Sequence, residues 1–329
     1  MLHTKRLHLL SALVLALSCS ASNGRDRSYV SGNFFLTLDG VKCGFLKSVD
    51  GGSISAEVVA EPGSGAFVAK HLGKPRYGEF TLSFGLSMDK SFFEWIAQSW
   101  RGEAKPRTGA ITALDYTLTP KSERRFENAI ITSTTIPAMD GSSKEPAYMT
   151  VTISPATARN APGTGTKADY ATYGKDEQKV MLPSNFKLEI DGIDCSRVNR
   201  IESFTVGQSV GNDPKARETA LASRRVNFPN LKLTLPDAAS PAFLRWHESY
   251  VVEGNAAGGE RNGMLTIFAP SQQGVLLRIK LYNVGICSLE ADKAEANADQ
   301  VKRVEVELYV ERMELLFGEA AATAARVGA

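Results

Sequence analysis

The chain has 329 residues, enough for two domains of ordinary size. Hydrophobic residues make up 43% and charged residues 22%, values of a globular chain that exclude wholesale disorder. Lys and Arg number 38 against 36 Asp and Glu; setting aside Lys5 and Arg6 of a leader leaves 36 of each, so no basic stripe argues for nucleic acid as a tight ligand.

The first segment reads as an export signal over residues 1–21. His3, Lys5, Arg6 and His8 make a polar, positive start, and Leu9 to Leu17 is an apolar run broken only by Ser11. That run is far shorter than the roughly 20 residues a membrane-spanning helix needs. Two processing routes fit. Cys19-Ser20-Ala21 obeys the small-x-small rule of ordinary cleavage, and Ala16-Leu17-Ser18-Cys19 is similar to a bacterial lipobox that would make Cys19 a lipidation site. The expected location is therefore outside the cytoplasm (periplasm, outer membrane or cell surface), with the membrane touched only through a lipid anchor. Cytoplasmic assembly or a virion-like particle is the alternative if the leader is not one.

After a polar spacer, residues 33–155 read as a mainly β domain. Phe34, Leu36 and Leu38 alternate with polar positions, as in a half-buried strand, and Asp39-Gly40 then supplies a hairpin turn. Gly51 to Gly78 is a long polar stretch, of the kind that is usually functional or disordered in a compact domain. Phe80-Thr81-Leu82-Ser83-Phe84 alternates again. Asp89 is a good N-cap for a helix whose Phe92, Phe93, Ile96 and Trp100 share one face, and Met149, Val151 and Ile153 close the domain as another alternating strand. Residues 156–182, with Asn160-Ala161-Pro162-Gly163-Thr164-Gly165, have linker composition.

Residues 183–317 repeat the pattern. Asn33-Phe34-Phe35-Leu36-Thr37-Leu38-Asp39-Gly40-Val41-Lys42-Cys43 returns 152 residues later, from Asn185 to Cys195, with six of eleven positions identical. At an offset of 151, Leu82, Phe93-Glu94-Trp95 and Trp100 are echoed by Leu233, Leu244-Arg245-Trp246 and Val251. Ser240 takes the N-cap place and Pro241 the first helical position. Two copies of one fold are expected, each a β-barrel or sandwich carrying one short helix. Residues 318–329 form an Ala-rich tail.

No catalytic or cofactor site is expected, and we read the chain as a non-enzyme. His71 and His247 fall in different copies with no metal-ligand spacing, Gly63-Ser64-Gly65 lacks the Lys of a phosphate loop, and no Gly-x-Ser-x-Gly elbow is present. Arg124-Arg125 and Arg224-Arg225 are expected at solvated strand ends, with lumen or inter-ring contacts as the alternative. Cys43, Cys195 and Cys287 are expected to be reduced and buried as small apolar side chains. Cys195 with Cys287 is the pairing left open in an oxidising compartment.

Together, the strand and Asp-Gly turn from Phe34 to Gly40, the segment Gly73-Lys74-Pro75-Arg76-Tyr77-Gly78-Glu79-Phe80, and the helix around Phe92-Phe93-Glu94-Trp95-Ile96 resemble the phage tail tube protein family, whose fold is shared with the tubes of contractile injection systems and type VI secretion. The resemblance implies two tandem tail-tube-like β-barrels. It implies a structural subunit that joins edge to edge into a ring or stacked tube, here a trimer of tandem domains in pseudo-sixfold order, with sheath or baseplate-like partners. It also implies an inter-ring role for the loop residues Lys74, Pro75, Arg76, Tyr77 and Gly78. An exported, lipid-anchored binding module of two β domains is the alternative from a different class.

Overall fold

The strands alternate in burial as their sequence alternates in polarity, and six of them close into one barrel. The computed structural model describes residues 32–62, 67–103, 105–173, 181–208, 225–255, 258–291 and 302–318; the leader with Cys19, Arg224 and the tail beyond Gly318 lie outside them. β1 (Asn33–Leu38) and β2 (Val41–Gly51) form a hairpin around Asp39 and Gly40. These two residues sit at φ 47° and 81°, the left-handed pair that a tight hairpin demands. β3 (Ile54–Pro62) and β4 (Val68–Tyr77) pair only with each other. The long polar stretch is therefore a projecting hairpin.

β5 (Phe80–Phe84) is followed by α1 (Lys90–Trp100), whose first turn is capped by Asp89: its carboxylate accepts from the Ser91 N–H at 2.8 Å. Then come β6 (Arg107–Leu114), β7 (Pro120–Ile136), β8 (Met139–Asp140) and β9 (Met149–Ser154). Six strands close on themselves in the order β7-β6-β1-β2-β5-β9, because β9 pairs with β5 on one side and β7 on the other. Closure removes the open edges that six antiparallel strands would otherwise carry. Phe80, Leu82 and Phe84 of β5 and Met149, Val151 and Ile153 of β9 fill the interior. α1 plugs it, with Phe92 edge-on to Phe84 at 4.8 Å and the Trp95 indole N–H donating to the Lys105 carbonyl at 2.8 Å.

The stretch expected as a linker is structured. β10 (Thr157–Pro162) pairs with β7, and the single turn α2 (Ala168–Ala171) buries Tyr170 edge-on to Phe35 at 5.1 Å on the outside of the barrel. The Lys42 ammonium anchors this turn through Asp169 at 3.0 Å. Composition pointed to a linker, whereas Phe35 on the barrel's outer side supplied a docking place that buries it with Tyr170.

The remaining strands are β11 (Phe186–Ile190), β12 (Arg200–Ile201), β13 (Phe204–Gln208), β14 (Val226–Asn227), β15 (Leu231–Pro236), β16 (Arg261–Phe268), β17 (Val275–Ala291) and β18 (Arg303–Phe317). All of these except β13 and β14 form a second sheet in the order β11-β16-β17-β18-β15-β12, extended by β8. This sheet does not close. At the turn Asp191-Gly192 a single bridge pairs Ile190 with Ile193, and among the described residues no strand extends from it. The Asp194 carboxylate accepts from the Ser196 N–H at 3.0 Å, an Asx turn that diverts the chain from the strand which Val41 to Lys47 make in the barrel. The second helix, α3 (Pro241–His247), runs on as a π-turn over Glu248–Val252. Ser240 does not cap it: its hydroxyl donates to the Asp237 carbonyl at 2.8 Å, ending the short 3-10 turn before it.

The two sheets share residues 31–329 as one unit and are stitched together by strands. β8, which follows β7 in the chain, joins the second sheet by pairing with β12, and β13, which follows β12, joins the first by pairing with β7. A single apolar core runs across the joint.

Candidate assembly surface

The β3–β4 hairpin is the part of the described structure least explained by its own packing. Its backbone leaves the barrel at Gly51 and Gly52, both at positive φ (78° and 71°). A Cβ on Gly52 would lie 2.0 Å from the Phe80 ring, and one on Gly51 would lie 2.2 Å from the Glu79 carbonyl, so only glycine permits this exit. Two backbone hydrogen bonds fix the base, from Gly52 N to the Glu79 carbonyl and from Gly78 N to the Ser53 carbonyl, each at 2.7 Å. Lys74, Pro75, Arg76 and Tyr77 lie on β4 and Gly78 follows it. The Arg76 guanidinium reaches the Glu57 carboxylate across the hairpin at 2.7 Å, an exposed pair worth little by itself. Beyond this base the hairpin exposes apolar side chains: Ile54 is 44% exposed and Phe67 85%, and Val58, Val68 and Leu72 are also exposed. An isolated two-stranded hairpin is marginal in water, so a surface of this kind calls for a partner.

The joint between the sheets shows what a partner does to such a segment. β13 and β14 form a second, shorter hairpin, and β13 lies along β7 with Phe204 opposite Ile136, Thr205 opposite Thr135, and Val206 opposite Thr134. Phe204, Val206 and Gln208 are buried there. The Gln208 amide donates to the Ser99 carbonyl at the end of α1 at 2.6 Å, and the Thr135 and Thr205 hydroxyls bond at 2.8 Å on the other face. Phe228, just beyond β14, packs against Trp100 at 6.1 Å, and Phe317 of β18 stacks on Phe93 at 4.3 Å.

The remaining predicted residues do not converge. His71 is on the exposed hairpin and His247 ends α3; among the described residues no three His, Cys, Asp or Glu side chains gather as a metal site. Arg124 and Arg125 lie inside β7, not at its end: Arg124 donates to the Gly51 carbonyl and Arg125 pairs with Glu123. Cys43, Cys195 and Cys287 are free thiols. Burial pushes Cys43 up to about 11 and Cys195 to about 12, as expected of inert core residues. Cys287 departs from expectation: it is exposed on β17, where its thiol donates to the Glu307 carbonyl at 3.3 Å. Among the described residues no helix is long and apolar enough to cross a membrane.

Comparison with known proteins follows this geometry. Residues 30–157 match the family model of the T4-like virus tail tube protein gp19. No curated protein matches the chain. Among solved structures, the chain is similar to the sheath-tube complex of an extracellular contractile injection system in its extended state, with 19% identity over 42% of this chain and 94% of that one, at a TM-score of 0.37. It is also similar to the tube-terminating cap of the anti-feeding prophage, with 19% identity over 45% and 99% and a TM-score of 0.39. A type VI secretion system effector from Yersinia pestis matches with 16% identity over 40% and 89%, at a TM-score of 0.24. The chain resembles the phage tail tube protein family, and the stretch matched by that family's model is the one that forms the closed barrel.

Proposed function

We propose that the chain is a structural subunit made of two copies of the tail-tube fold, and that several chains close into a ring able to stack into a tube. The observation that carries the reading is the joint: one copy already joins the other edge to edge, β13 on β7, within the chain. Further support comes from the registers. In the barrel Val49 faces Leu82, Leu82 faces Val151, and Val151 faces Thr134. In the second sheet Ile201 faces Leu233, Leu233 faces Val306, and Val306 faces Leu289. A register shift between Ile131 and Ser133 has its counterpart between Ile286 and Ser288. The hairpins correspond as well, with Ser55 opposite Arg76 in one and Gly207 opposite Asn227 in the other.

Three chains would supply six such units to a ring, and a heterologous contact of this kind closes when the rotation allows it. Size-exclusion chromatography with negative-stain microscopy tests this. We expect a trimeric species with a ring outline; a monodisperse monomer at high concentration would overturn the reading in favour of an exported two-domain binding module. Sheath or baseplate-like proteins are the partners such a ring would take.

The leader adds a separate proposal, export with Cys19 as a lipid anchor. Radiolabelled palmitate is expected to enter the wild-type chain and be lost in Cys19→Ser; label that survives the substitution rules Cys19 out.

A further inference from the structure

The intrachain joint also predicts a second, intermolecular one. Under the correspondence above, on which this inference rests, β13 answers to the start of β3 and the β7 segment Ser133–Ile136 answers to Ser288–Ala291 of β17. In the first sheet both sides of that β7 segment are occupied, by β9 and by β13. On β17, residues Ser288 to Ala291 pair with β18 on one side, while β16 has left the other side at Val284. Among the described residues nothing pairs with that second side, so its backbone donors and acceptors form an open edge.

The surfaces around this edge are unfinished in the same way. Phe93 and Trp100 of α1 are buried because Phe317 and Phe228 cover them. Their counterparts by the sequence echo, Leu244 and Val251, are each 45% exposed. On the hairpin, Ile54 answers to the buried Val206 but is itself exposed, and Tyr77 answers to Phe228. One chain thus carries both halves of an unmade contact, an apolar hairpin in one place and an open strand edge beside an apolar helix face in another.

We propose that the β3–β4 hairpin of one chain adds to the Ser288–Ala291 edge of β17 in a second copy of this chain. The register is antiparallel, with Ile54 opposite Leu289 and Ser53 opposite Glu290, and Tyr77 lies over Val251. The occupant is a second copy because the hairpin and edge that meet inside the chain are the same kinds of surface as those left free at its two ends.

Engineered disulfides test the register. In a Cys19→Ser, Cys287→Ser background, Ile54→Cys with Leu289→Cys places two thiols across from each other, within the Cα separation a disulfide requires. Ile54→Cys with Glu290→Cys is the off-register control, because neighbouring residues on a strand point to opposite faces. On oxidation the first variant should give a covalent ladder ending at trimer, at least tenfold more abundant than in the control or in either single variant. Ile54→Asp should weaken self-association at least tenfold while leaving the thermal midpoint of the isolated chain unchanged, since the residue is exposed there. Rings under the microscope without the ladder, or a crosslinked monomer showing the hairpin folded on its own chain, overturn this contact and leave the ring reading standing. Absence of any self-association overturns both.

Discussion

Trp95→Ala is expected to destabilise the chain by about 4 kcal/mol, the range for removing a large aromatic from a packed core. The ring is fully buried where α1 closes the barrel, in contact range of Phe92, and its indole N–H holds the Lys105 carbonyl at 2.8 Å. Two losses therefore combine: the cavity, and the hydrogen bond to the Lys105 carbonyl. Trp95→Phe separates them, because it keeps most of the packing and loses only the hydrogen bond, for about 1–2 kcal/mol. Urea denaturation followed by circular dichroism measures both. A loss below about 1 kcal/mol for the alanine variant would mean that α1 rests on the barrel without being part of its core.

Val206→Asp is expected to break the joint between the two sheets at a similar cost of about 4 kcal/mol, since it buries a carboxylate without a partner. Val206 is fully buried on β13, opposite Thr134 of β7, which is also buried. The expected signature is a dependence on pH. An apolar site raises the carboxyl pKa above its unfolded value, so the acid is neutral and tolerated at low pH, and stability is lost as pH rises through the folded-state pKa. The destabilisation should therefore be smaller at pH 4 than at pH 8. Val206→Thr is the control. The Thr134 hydroxyl has no hydrogen-bond partner among the described residues, and a hydroxyl opposite it would supply one, so this change should cost under about 1 kcal/mol. Equal losses for Asp and Thr at both pH values would show that the joint responds to side-chain shape alone.

Much of the barrel was legible in the sequence because its information is local. Period-two alternation marks β1, β5 and β9, the Asp39-Gly40 dipeptide sets the first turn, and Asp89 marks the start of α1. What was not legible depends on tertiary contact. Thr157 to Pro162 has no strand pattern of its own and becomes β10 because β7 offers an edge. The polar stretch after Gly51 became a hairpin, a state that composition does not distinguish from a loop. Repetition also misled. Asp191-Gly192 copies Asp39-Gly40, yet the hairpin fails because Asp194 stands where the first copy has Lys42 and draws the chain into a turn. Ser240 stands at a cap position but spends its hydroxyl on Asp237. As for the assembly surface, the sequence singled out Lys74 to Gly78 as a segment, but the pairing of β13 with β7 joins residues roughly 70 apart and leaves no trace in either segment alone.

The joint has a kinetic consequence. Because β13 reaches β7 along the same chain, this contact closes without a bimolecular encounter. A six-unit ring built from such chains would need two bimolecular encounters where single-unit subunits would need five. Its onset therefore depends less steeply on protein concentration. Dilution would strip chains from one another while leaving every second seam intact.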